Sequence, residues 1–328
     1  MRSVKVMRKN PNTLSSADLL PFDLILEILT RLPVKSLLQF RCVSKSWNLL
    51  ISDPKFARKH LNLSTTPRRV LRLSYDTPSY RYILNSYSLQ SIFTDADANF
   101  TQFEYPLLKR SSIYYAVGSC DGILCFANHP TFTDYKPFVV LWNPSIAKFK
   151  ELPPFENLSL LKGLNWVRTS YGFGYDHVSH DYKVVVIYNP TNSNGVTEGT
   201  TQAKVYTLNT DSSWRTIQPF PFGINSNYTL GRYVCGSMNW MSYNQLTHRR
   251  CIVSLDLGDE SYQIILPPTD LKDYLRLSVL RDCLCIISDH DVWLMEEYGI
   301  QDSWTKLFNV THLNFCEDTI TNLCIRFG

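Results

Sequence analysis

The spacing of hydrophobic positions changes once along this chain. From Pro21 to Leu32 it is helical. At 100° per residue, Leu24, Ile28, Pro21, Leu32, Ile25, Leu29 and Phe22 fall within an arc of about 160°, with Leu26 just beyond it, while Asp23, Glu27, Thr30 and Arg31 share the opposite side. Val34 to Leu38, opened by Pro33, predicts a second short helix. Val43, Trp47, Leu50 and Ile51 recur at i, i+4, i+7 and i+8 and predict a third, with Ser44, Lys45 and Asn48 outward. Asp53-Pro54 stops that helix, and Lys55 to Leu61 adds one or two further turns. Packing on one neighbour uses a stripe only about 100° wide, so the first helix carries surplus apolar surface. Either the rest of the chain covers it or a separate partner does, and the pattern alone leaves both open. A helical unit of about 45 residues without disulfides or metal ligands is marginal on its own core, which favours the partner.

After Thr65-Thr66-Pro67 the period becomes that of strands. Apolar segments at 70–73, 82–89, 122–126, 138–142, 182–188, 203–208, 251–257, 283–287 and 292–295 alternate with turn signals such as Asp121-Gly122, Asn143-Pro144, Asn194-Gly195 and Gly258-Asp259. Residues 118–154, 181–221, 235–268 and 281–307 share one plan: an apolar strand, a loop, a second apolar strand, a tight polar turn, then a strand with an aromatic or large residue ending near proline or lysine. A repeat of roughly 40–50 residues with four strands per unit predicts β-propeller blades. Residues 68–109 would form an earlier, degenerate blade. The run Val184-Val185-Val186-Ile187 fits a strand covered on both faces. Residues 311–328 start another repeat and stop inside it, so the last blade is expected to be incomplete unless the first residues of the β region complete it.

Composition fits a folded chain, with 44% hydrophobic and 19% charged residues. No apolar run reaches the length of a membrane span, and the first nine residues are too charged for a signal-peptide core, so a cytoplasmic or nuclear location is expected, with no membrane partner. The nine cysteines are odd in number and lack disulfide-like spacing, which predicts reduced, mostly buried thiols. Charge is unevenly placed: residues 1–60 carry +7 and the remainder −3. A basic head suits nucleic acid or an acidic protein, and charge does not choose between them.

Catalytic and metal-binding patterns are weak. His177-x-x-His180 lacks a third ligand nearby and reads as a turn. Cys283-x-Cys285 and Cys120-x4-Cys125 read as small buried hydrophobes. Gly172-Phe173-Gly174 lacks the third glycine and following helix of a dinucleotide fingerprint. Arg68-Arg69 and Arg249-Arg250 read as solvated loops without the aromatic interleaving of an RNA-binding surface, and the tryptophans after residue 65 as blade core. Neither cofactor nor metal is expected, and no catalytic residue is assigned.

The run LPFDLILEILTRLPVKSLLQFRCVSKSWNLLISDPKF, residues 20–56, resembles an F-box in the form common to plant F-box proteins. GSCDGILCF, LWNPSIAKFKELPP and YGFGYDHVSHDYKVV resemble the F-box-associated domain, which is related to kelch propellers. The resemblance divides the chain into a basic tail (1–14), an all-α F-box domain (15–62), a short linker (63–69) and an all-β propeller-like domain of four-stranded blades (70–328). It implies that the head docks on the acidic Skp-type adaptor of a cullin-RING ubiquitin ligase, while the β domain captures the protein to be ubiquitinated and performs no chemistry. The implied adaptor contacts are Leu20, Pro21, Leu24, Ile25, Ile28, Leu29, Leu32, Pro33 and Val34. Leu37, Leu38, Val43 and Trp47 match positions that join that interface or the helical core behind it. The family turn is often Tyr-Asp-Pro, where this chain has Tyr175-Asp176-His177, and the family domain usually runs past residue 328. Substrate identity and substrate-binding residues are not legible. Three other readings stay open: a truncated, non-delivering competitor for the adaptor, a propeller enzyme acting on sugars with clustered carboxylates at one channel mouth, and a nucleic-acid binder using the basic head.

Overall fold

The computed structural model describes residues 20–63, 69–76, 81–88, 100–103, 114–128, 138–155, 166–191, 200–224, 230–269, 271, 275–288, 291–309 and 321–325. The expected tail, most of the linker and residues 311–320 lie outside the described residues. The chain divides into two compact units between Thr65 and Thr66.

The first unit is four helices: α1 (Phe22–Leu29), α2 (Val34–Phe40), α3 (Lys45–Ser52) and α4 (Pro54–Leu63). Their starts follow from residues whose backbone or side chain suits an N-terminus. Pro21 and Pro33 precede α1 and α2 in extended conformation. Ser44 Oγ accepts from the Trp47 amide (3.2 Å), and Asp53 Oδ1 accepts from the Lys55 amide (2.9 Å) as Pro54 opens α4. Leu29, Leu37 and Phe56 form the core, flanked by Ile25, Leu26, Leu32, Phe40, Trp47, Leu50 and Ile51. Phe40 and Trp47 meet edge to face at 5.6 Å. His60 is buried and its Nε2–H donates to the Leu32 carbonyl (2.7 Å), tying α4 to the α1–α2 corner.

The second unit is five four-stranded antiparallel sheets. The first blade holds β4 (Tyr114–Cys120), β5 (Ile123–Asn128), β6 (Val139–Asn143) and β7 (Lys148–Glu151). The second holds β8 (Trp166–Asp176), β9 (Asp181–Thr191), β10 (Gln202–Thr207) and β11 (Arg215–Thr216). The third holds β12 (Arg232–Val234), β13 (Ser237–Asn244), β14 (Arg249–Asp256) and β15 (Tyr262–Ile265). The fourth holds β16 (Leu275–Leu280), β17 (Cys283–Ser288), β18 (Asp291–Met295) and β19 (Trp304–Asn309). The fifth is discontinuous. β1 (Arg69–Asp76), β2 (Arg81–Ser88) and β3 (Phe100–Phe103) are joined by β20 (Thr321–Ile325), with Leu71 opposite Leu323. Among the described residues the C-terminal repeat supplies the strand β20, so the shortened last blade and the degenerate first one expected from the sequence meet in one four-stranded sheet. Pairing the two chain ends within one blade joins the first and last repeats of the β unit in a single sheet.

Four junctions between successive blades, from the fifth and first to the third and fourth, are apolar layers of buried side chains. In β9, Val184 and Val186 pack against the first blade while Val185 and Ile187 pack against the third, all at most 1% exposed. Alternation of successive side chains is what makes four consecutive β-branched residues necessary there. On three outer strands the aromatic residue has a specific partner. Trp214 Nε1–H donates to the Pro153 carbonyl (2.6 Å), the Tyr262 hydroxyl to the Gln218 carbonyl (3.1 Å) and Trp304 Nε1–H to the Leu266 carbonyl (3.1 Å). In all three, an aromatic donor at the start of one outer strand closes on a carbonyl just past the preceding blade's outer strand. The shared aromatic-then-proline ending of the repeats is the sequence trace of this stitch.

Candidate protein-interaction sites

The surplus arc of α1 divides in two. Leu29 is 1% exposed and packs with Leu37 and Phe56, and Ile25, Leu26 and Leu32 lean on that core. On the other half, Leu24 is 46% and Ile28 50% exposed, continued by exposed Leu20, Pro21 and Phe22. Leu29, counted from sequence among the adaptor contacts, and Leu37, assigned to that interface or to the core behind it, are buried core residues of this unit. The remaining positions keep some exposure. Pro33 and Val43 are exposed, Val43 at 62%, while Ile25, Leu32, Val34, Leu38 and Trp47 are half-buried. Sequence periodicity could not separate the halves, because both are aliphatic and the bundle's inward direction is a tertiary property.

In the propeller, the hairpin turns between the first and second strands of each blade show why their residues are there. Asp121-Gly122, Cys235-Gly236 and Arg281-Asp282 each place two successive residues at positive φ, the two-residue turn that matches strand twist. The second blade departs, using His177–His180. Asp176 accepts from the Val178 amide (2.8 Å) and the Ser179 hydroxyl (2.6 Å), so the His-x-x-His motif sits on a carboxylate-braced turn. No group of three or more His, Cys, Asp or Glu placed to hold a metal occurs among the described residues. Gly172 and Gly174 are explained by packing. A Cβ on Gly174 would lie 2.2 Å from the Tyr233 ring, and one on Gly172 2.5 Å from Met238 Sδ, so these glycines admit the third blade.

The same junction carries an ionic cluster that sequence reading missed. Lys183 Nζ, nearly buried, meets Asp176 Oδ2 (3.0 Å), Glu260 Oε1 (3.1 Å) and the Leu257 carbonyl. Arg215 holds Glu260 in a bidentate pair (2.8 and 2.6 Å). Burial alone would raise Asp176, but the Ser179 hydroxyl, Lys183 and the Val178 amide outweigh it and hold the carboxyl below its usual range. Bonds from Arg215, against its burial and with help from Lys183, hold Glu260 low as well. Asp181 is likewise occupied, accepting from Asn209 Nδ2 (2.7 Å) and the Asn209 amide (2.9 Å). These carboxylates brace turns and blades. Among the thiols, Cys125 is pushed up by burial, and Cys285 to about 11 for the same reason, so both stay protonated. Cys285 shares one core layer with Cys283, as their two-residue spacing requires. Tryptophans 142, 240 and 304 are core residues, while the Trp166 side chain lies outside what is described.

Residues 18–59 match the F-box domain family, and residues 75–325 match the F-box associated beta propeller domain family. The chain is an F-box protein with an F-box-associated β-propeller. An F-box/kelch-repeat protein of Arabidopsis thaliana is 30% identical over 309 residues, covering 90% of this chain and 80% of that protein. The F-box protein CPR1 of the same plant is 30% identical over 319 residues, covering 89% of this chain and 73% of its own length. Among solved structures, polysaccharide lyase Uly1 aligns with a TM-score of 0.39 and 9% identity, over 67% of this chain and 50% of that one, too distant to bear on activity. No helix among the described residues of this F-box protein is long and apolar enough to cross a membrane.

Proposed function

We propose that this F-box protein is the substrate-recognition subunit of a Skp-cullin-F-box ubiquitin ligase. The observation that carries the reading is the outward half of α1. Leu20, Pro21, Leu24 and Ile28 remain exposed beside a bundle whose core is already filled by Leu29, Leu37 and Phe56. Contiguous exposed aliphatic surface of this kind marks a protein interface. A Skp-type adaptor would cover it, with Pro33, Val34, Leu38, Val43 and Trp47 as further contacts. Through the adaptor, the cullin and RING subunits would join.

The propeller's part is placement of a target protein, whose lysine is held near the ubiquitin-charged enzyme at raised effective concentration. Arg69 pairs with Ile325, so the chain enters the propeller at the end where β20 finishes. No bond-making step is assigned to this chain. The buried carboxylates described above are committed to structural bonds, which supports a non-catalytic role.

The test is capture of the protein by an immobilised Skp-type adaptor, wild type beside the double variant Leu24→Asp, Ile28→Asp. Capture should fall at least about a hundredfold, because two charges would be forced into a desolvated interface, while propeller melting stays unchanged. Undiminished capture by the double variant would refute the reading.

A further inference from the structure

The outermost strand of a blade has a free edge, and three of the four blades built from continuous chain protect theirs. β7 is Lys148-Phe149-Lys150-Glu151, with charge at three of its four residues, β11 is two residues long, and β19 carries Lys306 with a register shift against β18. Short length, edge lysines and bulges are the usual means by which a free edge avoids pairing with another chain. β15 has none of them. It reads Tyr262-Gln263-Ile264-Ile265, without a charge or a proline, and pairs with β14 in unbroken register.

Its outward backbone groups are identified by the hydrogen bonds around it. The Asp256 amide donates to the Ser261 carbonyl (3.0 Å), and the Leu257 amide to the Gly236 carbonyl (3.1 Å). Bonded and non-bonded pairs alternate along an antiparallel ladder, so β14 bonds β15 through its even-numbered residues and β13 through its odd-numbered ones. In β15 this commits Gln263 and Ile265, opposite Ser254 and Ile252, and turns the N–H and C=O of Tyr262 and Ile264 to the free edge. Neither backbone has a hydrogen-bond partner among the described residues. Ile264 and Leu266, two residues apart and so on one face, are each 42% exposed. The edge ends there, because the Leu266 carbonyl accepts from Trp304 and Pro267 and Pro268 lack an N–H.

We propose that β15 is a docking edge for an extended segment of a partner protein, which adds as a further antiparallel strand and lays alternate aliphatic side chains on Ile264 and Leu266. Unpaired donors and acceptors in strand spacing are matched by another strand and not by a helix. Asp259, exposed just before β15, favours a basic residue where the C-terminal end of that segment passes. A second copy of this chain fits less well. Two β15 edges would meet over four residues each, far below the area of a stable dimer, whereas a flexible segment can follow the blade beyond them. The inference rests on the reading that the propeller captures a target, and gives the captured segment its chemistry.

The experiment titrates the full-length protein into fluorescein-labelled Thr-Val-Thr-Val-Thr-Val-Lys and follows fluorescence anisotropy. The wild type should bind saturably. Pairing opposite Tyr262 and Ile264 uses the valine amides, so N-methylation of the valines should weaken binding by about tenfold or more, while N-methylation of the threonines should leave it nearly unchanged. I264P removes an outward N–H and no bond to β14, so it should melt close to the wild type and lose about tenfold or more in affinity. I264K places a charge on the edge, should lose binding likewise, and decides alone if I264P fails to fold. Q263T, bonded inward, should bind as the wild type does. Amide hydrogen exchange in the free protein should be fast at Tyr262 and Ile264 and slow at Gln263 and Ile265, with the peptide slowing the first pair. A wild type that does not bind, equal binding of the valine-methylated peptide, or I264P and I264K binding as the wild type does would each overturn the proposal. A wild-type dimer in sedimentation that I264K converts to monomer would overturn it as well, by giving the edge to a second copy. No adaptor enters these measurements, so their failure would leave the adaptor-binding half of the ligase reading standing.

Discussion

Replacing Lys183 by Met removes the one cation that touches both Asp176 and Glu260. Lys183 is 5% exposed, and its partners differ in what they keep. Glu260 retains the Arg215 fork, whereas Asp176, its side chain 2% exposed, is left with the Val178 amide and Ser179 hydroxyl and no counter-ion. Breaking a buried pair from one side costs about 3–5 kcal/mol, chiefly the stranded charge. For a domain of this size that is a Tm loss of roughly 6–20 °C. Tryptophan fluorescence follows it well, since six of the seven tryptophans lie after residue 65. K183M/D176N should recover part of the loss, because the stranded carboxylate is gone while Asn keeps an acceptor for the turn. The pH dependence has a definite sign. Asp176 and Glu260 both have folded-state pKa values below their ordinary ones, so their contribution is complete above about pH 4–5 and is lost as pH falls through the lower folded values. Wild-type Tm should therefore drop more steeply below about pH 4 than that of K183M. A K183M protein melting within about 2 °C of the wild type at pH 7, a shift worth less than about 1 kcal/mol, would refute the account of this junction.

Two further outcomes separate the roles of similar residues. Leu29→Ala should cost about 2–5 kcal/mol and melt the helical unit, lowering adaptor capture through unfolding, whereas the Leu24 and Ile28 changes leave helicity intact by circular dichroism. Gly174→Ala places a methyl 2.2 Å from the Tyr233 ring and should displace it, with loss of the Tyr233 hydroxyl bond to the Tyr175 carbonyl (2.7 Å) and a destabilisation of about 1–3 kcal/mol in denaturant unfolding.

The parts of this F-box protein that were legible in sequence are those whose signal is local. The period of 3.6 over Pro21–Leu32, the capping Ser44 and the Asp53-Pro54 break each act within a few residues, and α1 to α4 follow them. The middle strands of the blades were legible because they carry apolar runs: β1 and β2, β5 and β6, β9 and β10, β14, and β17 and β18 coincide with segments read from the pattern. The inner strands were not. β8 contains Arg168, Thr169, Ser170 and two glycines, and β12 has only Arg232, Tyr233 and Val234, so neither presents an apolar run. Their side chains answer to the axis and to the next blade, neighbours that are distant in sequence.

By itself, the sequence determined a helical head with more aliphatic surface than one contact uses and a repeated four-strand plan behind it. Tertiary structure decided which half of α1 is core, Leu29 rather than Leu24 and Ile28, and joined β20 to β1 so that two partial repeats became one blade. It also gathered Lys183 with Asp176 and Glu260. The physical reason is the same in each case. Periodicity records that a residue is apolar or charged, while burial and pairing depend on which distant surface arrives opposite it.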